Sequence, residues 1–194
     1  MLNEDTLFTG LKKADLNKIK KLENIVTTHI VKGLMLSAIS VAFSIMVYVF
    51  NLYEITWLNW INTAILMGGL IYGNILYANQ NNNNVTFGNL FAHGFKTTAV
   101  VIVITTIYTF IAFKLLFPDM IDKILEMSRK QMEKNPKMTD EMIEQATTMT
   151  KKFFMPFAIG GTILGTGFMG AIASLIGAGI AKKNPVDPFN TPTA

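Results

Sequence analysis

The 194-residue sequence has no cysteine. A disulfide, a thiolate nucleophile and a thiolate metal site are therefore all excluded. Histidine is scarce: His29 and His93 are the only two, and neither falls in an H-x-x-H or H-E-x-x-H pattern. A structural or catalytic metal site normally draws on three or four such ligands, so no metal is expected. There is no phosphate-cradling G-x-x-x-x-G-K-[ST] segment. Gly165, Gly167 and Gly170 do spell G-x-G-x-x-G, but within an apolar run, whereas that fingerprint works only between a strand and a helix. Charge is also thin, at 15% of residues against about 25% in soluble domains. These absences point to a protein that is not an enzyme, with no catalytic residue and no cofactor. The net charge of +4 is modest and suits attraction to anionic lipid, with no nucleic-acid partner.

What the chain has instead is apolar length. Hydrophobic residues make up 51% and mean hydropathy is +0.37. Four runs, at about 30–50, 57–77, 97–117 and 153–181, each reach the roughly 20 residues that cross a bilayer core. The expected fold is all-α, an integral membrane protein with four transmembrane helices. No signal peptide is expected, because mostly polar residues precede the first run and no A-x-A-like site follows it. Residues 1–28 form a basic segment with Phe8, Leu11, Ile19, Leu22 and Val26 near one helical face, which predicts an amphipathic helix on the membrane surface. Residues 29–183 form the transmembrane domain and 184–194 a disordered tail.

Glycine is concentrated where it should weaken a helix. The segment "GGTILGTGFMGAIASLIGAGIAKK" (160–183) holds seven, each costing roughly 1 kcal/mol against alanine in a helix exposed to water. Within lipid, glycine instead lets a neighbouring backbone approach closely. Gly161, Gly165, Ala173, Gly177 and Ala181 form a four-residue ladder interrupted at Met169, beside an unbroken row of Thr162, Thr166, Gly170, Ser174 and Ala178. Span one carries Gly33, Ser37, Ser40 and Ser44 along one side, and span two carries Gly69 and Gly73. Gly33, Ser37, Gly69, Gly73, Gly161, Gly165, Gly170 and Gly177 are the expected helix-packing positions. Spans one and four should be neighbours, or span four should meet span two at Gly69 and Gly73.

The links carry their own signals. The asparagine run in "ANQNNNNVTFGNLFAHGFK" reads as a flexible loop, followed by an interfacial elbow with Phe87, Phe91 and Phe95 on one stripe and Thr86 as its cap. Residues 119–152 hold seven basic and seven acidic residues and predict an extramembrane hairpin of two short helices, about 119–134 and 139–152, separated at Asn135-Pro136. No Asp, Glu, Arg or His lies centrally in a run, and Lys114 is the deepest charge, expected to pair with Glu54, Asp119 or Asp122. Lysines flank span one on its N-terminal side only, which predicts both termini in the cytoplasm.

Four blocks in order, "GLIYGNILYA", "TFGNLFAHGF", "FPDM" and "GAIASLIGAGIAKKNP", resemble bacterial domain-of-unknown-function family 4199 from about Val31 to Pro185. The resemblance implies a small four-helix protein of the bacterial inner membrane and assigns no activity. The expected function is a non-enzymatic accessory or scaffold subunit of an inner-membrane assembly, with membrane lipid, another membrane protein or a second copy of the chain as partners. The alternative is a small transporter or channel. A polar, Thr-lined space beside Thr105 and Thr109, reaching the midplane, would favour that alternative.

Overall fold

The computed structural model describes residues 28–55 and 57–184. The basic N-terminal segment up to residue 27 and the tail from residue 185 lie outside the described residues, so the amphipathic helix and the disordered tail are not addressed by it.

Among the described residues five α-helices follow in order: α1 (His29–Val49), α2 (Trp57–Gln80), α3 (Phe87–Ile111), α4 (Met120–Glu133) and α5 (Asp140–Ile180). Threonine starts three of them. The hydroxyl oxygens of Thr28, Thr86 and Thr139 accept from the backbone N–H of Val31, Asn89 and Met142 at 3.2–3.3 Å, each satisfying one otherwise unpaired donor of a first turn. Segments His29–Val49, Trp60–Gln80, Phe87–Leu116 and Asp140–Ile180 are long and apolar enough to cross a membrane. The protein is an all-helical, multi-pass membrane protein, and the described residues contain no strand.

Two spans run further than their apolar cores. The Phe87–Phe95 stripe is no separate elbow; it is the first part of α3, continuous into the span. The second hairpin helix is likewise no separate element. It continues through Pro156 into span four as one helix of 41 residues, about 60 Å long at 1.5 Å per residue. Proline there removes one backbone donor, but Pro156 is exposed near the membrane boundary, where water can solvate the freed carbonyl. The asparagine run is a hydrogen-bonded turn. Asn82 and Asn83 take positive φ of 53° and 60°, which asparagine tolerates better than most residues. Their carbonyls accept from the Asn184 side chain and backbone at 2.8 and 2.9 Å.

Helix α3 is central, packed along α5 and α1, while α2 packs on α5, α3 and α1. Spans one and four are not neighbours in this arrangement. Nor does span four meet Gly69 and Gly73, because those glycines take Leu36 and Lys32 of span one. The close-packed half lies toward the asparagine turn, where Leu70, Asn74, Ala78, Leu90, Ala173, Ser174 and Ala178 are buried. At the opposite, hairpin end the helices diverge.

At that end α4 docks back on the bundle. Leu125 of α4 and Ile143 of the α5 arm are the buried apolar residues there, and Lys151 pairs with Asp122 across the hairpin at 2.9 Å. Tyr48 donates to Asp119 at 2.8 Å, and Lys123 pairs with the same carboxylate at 2.8 Å. Lys114 finds no carboxylate: it is exposed and belongs to none of the ion pairs among the described residues. The reason is local. A π turn over Ala112–Leu116 sends Phe113 inward, edge-on to Phe154 at 5.0 Å, and leaves Lys114 outside, where its long stem can reach water.

The Asp119 contact is sensitive to acid. Hydrogen bonds from Lys123 and then Tyr48 hold its carboxyl below the ordinary 3.8. A depressed carboxylate contributes stability that is present above its unfolded value and is lost as pH falls through the folded one. Amide exchange in α4, corrected for intrinsic rates, should therefore accelerate below about pH 4. Asp119→Asn should reduce that dependence, leaving the part that the Glu126–Lys130 pair of the same helix contributes. Exchange that follows intrinsic rates alone in the unsubstituted protein would show that the contact does not hold α4.

Candidate functional site

The divergence of the spans opens a cavity of about 500 Å³ to which all four contribute: Ser40 and Ser44 from α1, Asn62, Thr63 and Leu66 from α2, Val101, Thr105, Tyr108 and Thr109 from α3, and Thr162, Thr166 and Met169 from α5. Ser40, Val101 and Met169 lie near the middle of their spans, so the cavity reaches the midplane. Met169, the residue that interrupts the small-residue ladder, marks the level of its floor. Beyond it the ladder is closely packed, and before it Gly161 and Gly165 leave the α5 wall open. A Cβ built at either glycine meets nothing within 4 Å.

The lining is hydroxyl-rich and uncharged. Thr105, Thr109 and Thr162 each donate to the carbonyl four residues earlier in their own helix, all at 2.8 Å. Their donors are thus used internally while their oxygens keep acceptor capacity. Two contacts bridge helices: Thr109 and Thr162 hydroxyls lie 3.4 Å apart, and Tyr108 donates to Ser44 at 3.3 Å. Asn62 Oδ1 is buried without a hydrogen-bond partner among the described residues, a costly state that an incoming donor would relieve. Ser44, Tyr108 and Thr109 also border a second cavity of about 460 Å³ beneath α4, so the Tyr108–Ser44 contact stands between the two spaces.

Below the floor the bundle axis stays polar but closes. Ser37 and Ser174 donate to Gly33 and Gly170 carbonyls at 2.7 and 2.6 Å. Asn74 reaches the Ser174 carbonyl at 3.3 Å. Nearest the asparagine turn, Lys32 is buried and donates to the Gly73 carbonyl at 2.9 Å, with His93 Nε2 at 3.2 Å. His93 stacks on Tyr77 at 4.1 Å, and the Lys32 ammonium lies 5.7 Å from the Tyr77 ring centroid.

The expected packing positions divide among these regions. Gly33 meets Val100 and the Thr97 carbonyl of α3, and Ser37 is fully buried beside it. Gly69 meets Leu36, and Gly73 meets the Lys32 stem. Gly170 meets Thr98, and Gly177 meets Asn74 and the Ile71 backbone. Gly161 and Gly165 meet no protein; they border the cavity. Sequence reasoning placed Asn62 on a face near Gly69 and Gly73 but gave it no role, and it overlooked Lys32, His93 and Asn74 as site residues. A signal existed for Lys32. Lys32, Leu36, Ser40 and Ser44 recur every four residues, which places the lysine on the packing face of span one rather than at its flank.

Among the described residues no group of three or more His, Asp or Glu side chains could hold a metal ion. A family model described as "Protein of unknown function (DUF4199)" matches residues 32–183. No curated protein and no solved structure matches the chain.

Proposed function

The chain belongs to the DUF4199 family of proteins of unknown function, and we propose that it is a small membrane transporter or channel that admits a neutral, polar solute from the hairpin end. The observation that carries this reading is the uncharged, hydroxyl-lined cavity reaching the midplane. Its volume lies within the roughly 300–1,000 Å³ of small-molecule sites. With no charged group in the lining, an ion would lose hydration without compensation, whereas an alcohol or amide could donate to the threonine oxygens and to Asn62. The proposal takes the membrane as a bacterial inner membrane with both termini cytoplasmic. In support, the described lysines Lys32, Lys96, Lys182 and Lys183 lie at the asparagine-turn end with no described carboxylate, while the hairpin end carries both signs.

The absence of native cysteine makes the test direct. Thr105→Cys and Thr162→Cys should react with a membrane-impermeant thiol reagent in proteoliposomes at least about tenfold faster than Leu164→Cys, which lies on the exposed outer face of α5. Glycerol entry, followed by osmotic swelling, should exceed that of empty vesicles and fall once Thr162→Cys is modified. Unreactive cavity cysteines together with no added glycerol entry would reject the proposal.

One observation favours a second reading, the accessory or scaffold subunit. Gly160, Gly161 and Gly165 form an uncovered surface that a helix of another protein or a second copy could approach closely. Labelling the same cysteines in native membranes separates the two. Protection there that is lost on purification indicates a covering helix, and equal reactivity in both settings indicates open space.

A further inference from the structure

A second recess lies at the asparagine-turn end, apart from the solute cavity. It measures about 360 Å³ and is bordered by Thr28, His29, Tyr77, Asn89, His93 and Lys96. We propose that this recess is an anion site that takes a phosphate group. The reading is independent of the proposed transport function.

Charge is the first support. Among the described residues the recess has cationic and hydrogen-bonding walls and no carboxylate. Every described Asp and Glu, from Glu54 to Glu144, lies between the ends of α1 and the start of span four's apolar core, at the other end of the bundle. Nothing acidic among the described residues neutralises Lys32 or Lys96.

The buried pair is the second support. His93 is only 7% exposed yet borders the recess. Lys32 directs its Nζ to two acceptors, the Gly73 carbonyl and His93 Nε2. When Nε2 accepts from an ammonium, the ring proton sits on Nδ1. Nδ1 has no partner among the described residues, so it is left as a donor for a ligand. The lysine thereby fixes the imidazole in the form that donates to an anion. Lys96, exposed at the rim, adds a mobile charge, and charge-assisted bonds to phosphate oxygens are strong. The first turns of α1 and α3 meet here, through Thr28 and Asn89, and add the positive ends of two helix dipoles.

The recess sits at the first turn of two spans, the depth of lipid headgroups. The phosphate can therefore come from a phospholipid or from solution, and the test has an arm for each. In one, detergent-purified full-length protein is titrated with inorganic phosphate, against sulfate, and followed by phosphorus NMR line width. In the other, protein in phosphatidylcholine nanodiscs with and without phosphatidic acid is examined by native mass spectrometry for retained phosphatidic acid. Lys96→Gln should weaken binding about fivefold or more, and His93→Gln similarly, whereas Lys182→Gln, an exposed lysine at the same end but outside the recess, should change it less than about twofold. Saturable, Lys96-dependent binding in either arm supports the site and identifies its source. No saturable binding in both arms, or equal losses for Lys96→Gln and Lys182→Gln, overturns it. Both of those lysines are exposed, so misfolding does not obscure the comparison.

Discussion

Gly177→Leu should destabilise the folded protein by about 1–3 kcal/mol or more, while Gly165→Leu should leave stability within about 0.5 kcal/mol. Both glycines belong to one ladder, so the sequence treats them alike. Their surroundings differ. A Cβ at Gly177 would lie 2.8 Å from Asn74 Nδ2, 3.0 Å from Asn74 Cβ and 3.2 Å from Ile71 Cα. The last is backbone, which cannot swing aside, so α2 and α5 would have to part. The parting would also strain the Asn74 bond to the Ser174 carbonyl. At Gly165 the leucine would project into open space. Its effect should be on the cavity, slowing thiol modification at Thr162→Cys. Reversible unfolding in micelles measures the first difference. Equal destabilisation by the two leucines would mean that the bundle closes over Gly165 in a way the structure does not show.

Lys32→Ala should cost about 2–4 kcal/mol, an unusual amount for a lysine near a helix end. Three losses combine. The stem, whose Cδ would stand 3.6 Å from a Cβ at Gly73, leaves a void that lost dispersion contacts make unfavourable. The bond to the Gly73 carbonyl disappears. His93 Nε2, in a buried ring, loses its partner. Lys32→Met separates these contributions, since it restores the stem but not the ammonium, and should recover part of the loss. Lys96→Ala, at an exposed position, should fall within about 0.5 kcal/mol. If Lys32→Ala also stays within that range, the buried pair does not support the bundle.

Four apolar runs are enough to identify the spans, because bilayer thickness imposes a length that composition reveals directly. The joins between spans and links were harder to see. Lys151, Lys152 and Pro156 look like a boundary in the sequence, yet α5 passes through them, since charge and a boundary proline mark where a helix leaves lipid rather than where it stops. The small residues were visible as ladders, but periodicity gives a face and not its neighbour. Met169 is the visible interruption, and whether it fills a gap or marks an opening depends on how far α3 and α5 have diverged at that level. Lys32 and His93 are 61 positions apart. Nothing local announces a contact between them, and each alone resembles an ordinary flanking charge. The cavity is least legible of all, because an empty space is set by the packing of four segments and by no residue in particular.

The continuity of α5 has a mechanical consequence. Its extramembrane arm, Asp140 to Pro156, is one stiff rod about 24 Å long, with its weakest backbone position at the membrane boundary. A tilt of about 10° at Pro156 would carry the far end of that rod roughly 4 Å, further than a hydrogen bond can stretch. Lys151, the ionic tether to Asp122 of α4, sits about 8 Å from Pro156 and would move only about 1 Å. Ile143, buried at about 20 Å along the rod, would move about 3 Å. Helix α4 is held in turn to α1 by Tyr48 and Asp119. A small angular displacement in the span is thereby geared up into the breaking or making of contacts at the roof over the second cavity, and force applied to the roof is returned to the span with the same leverage.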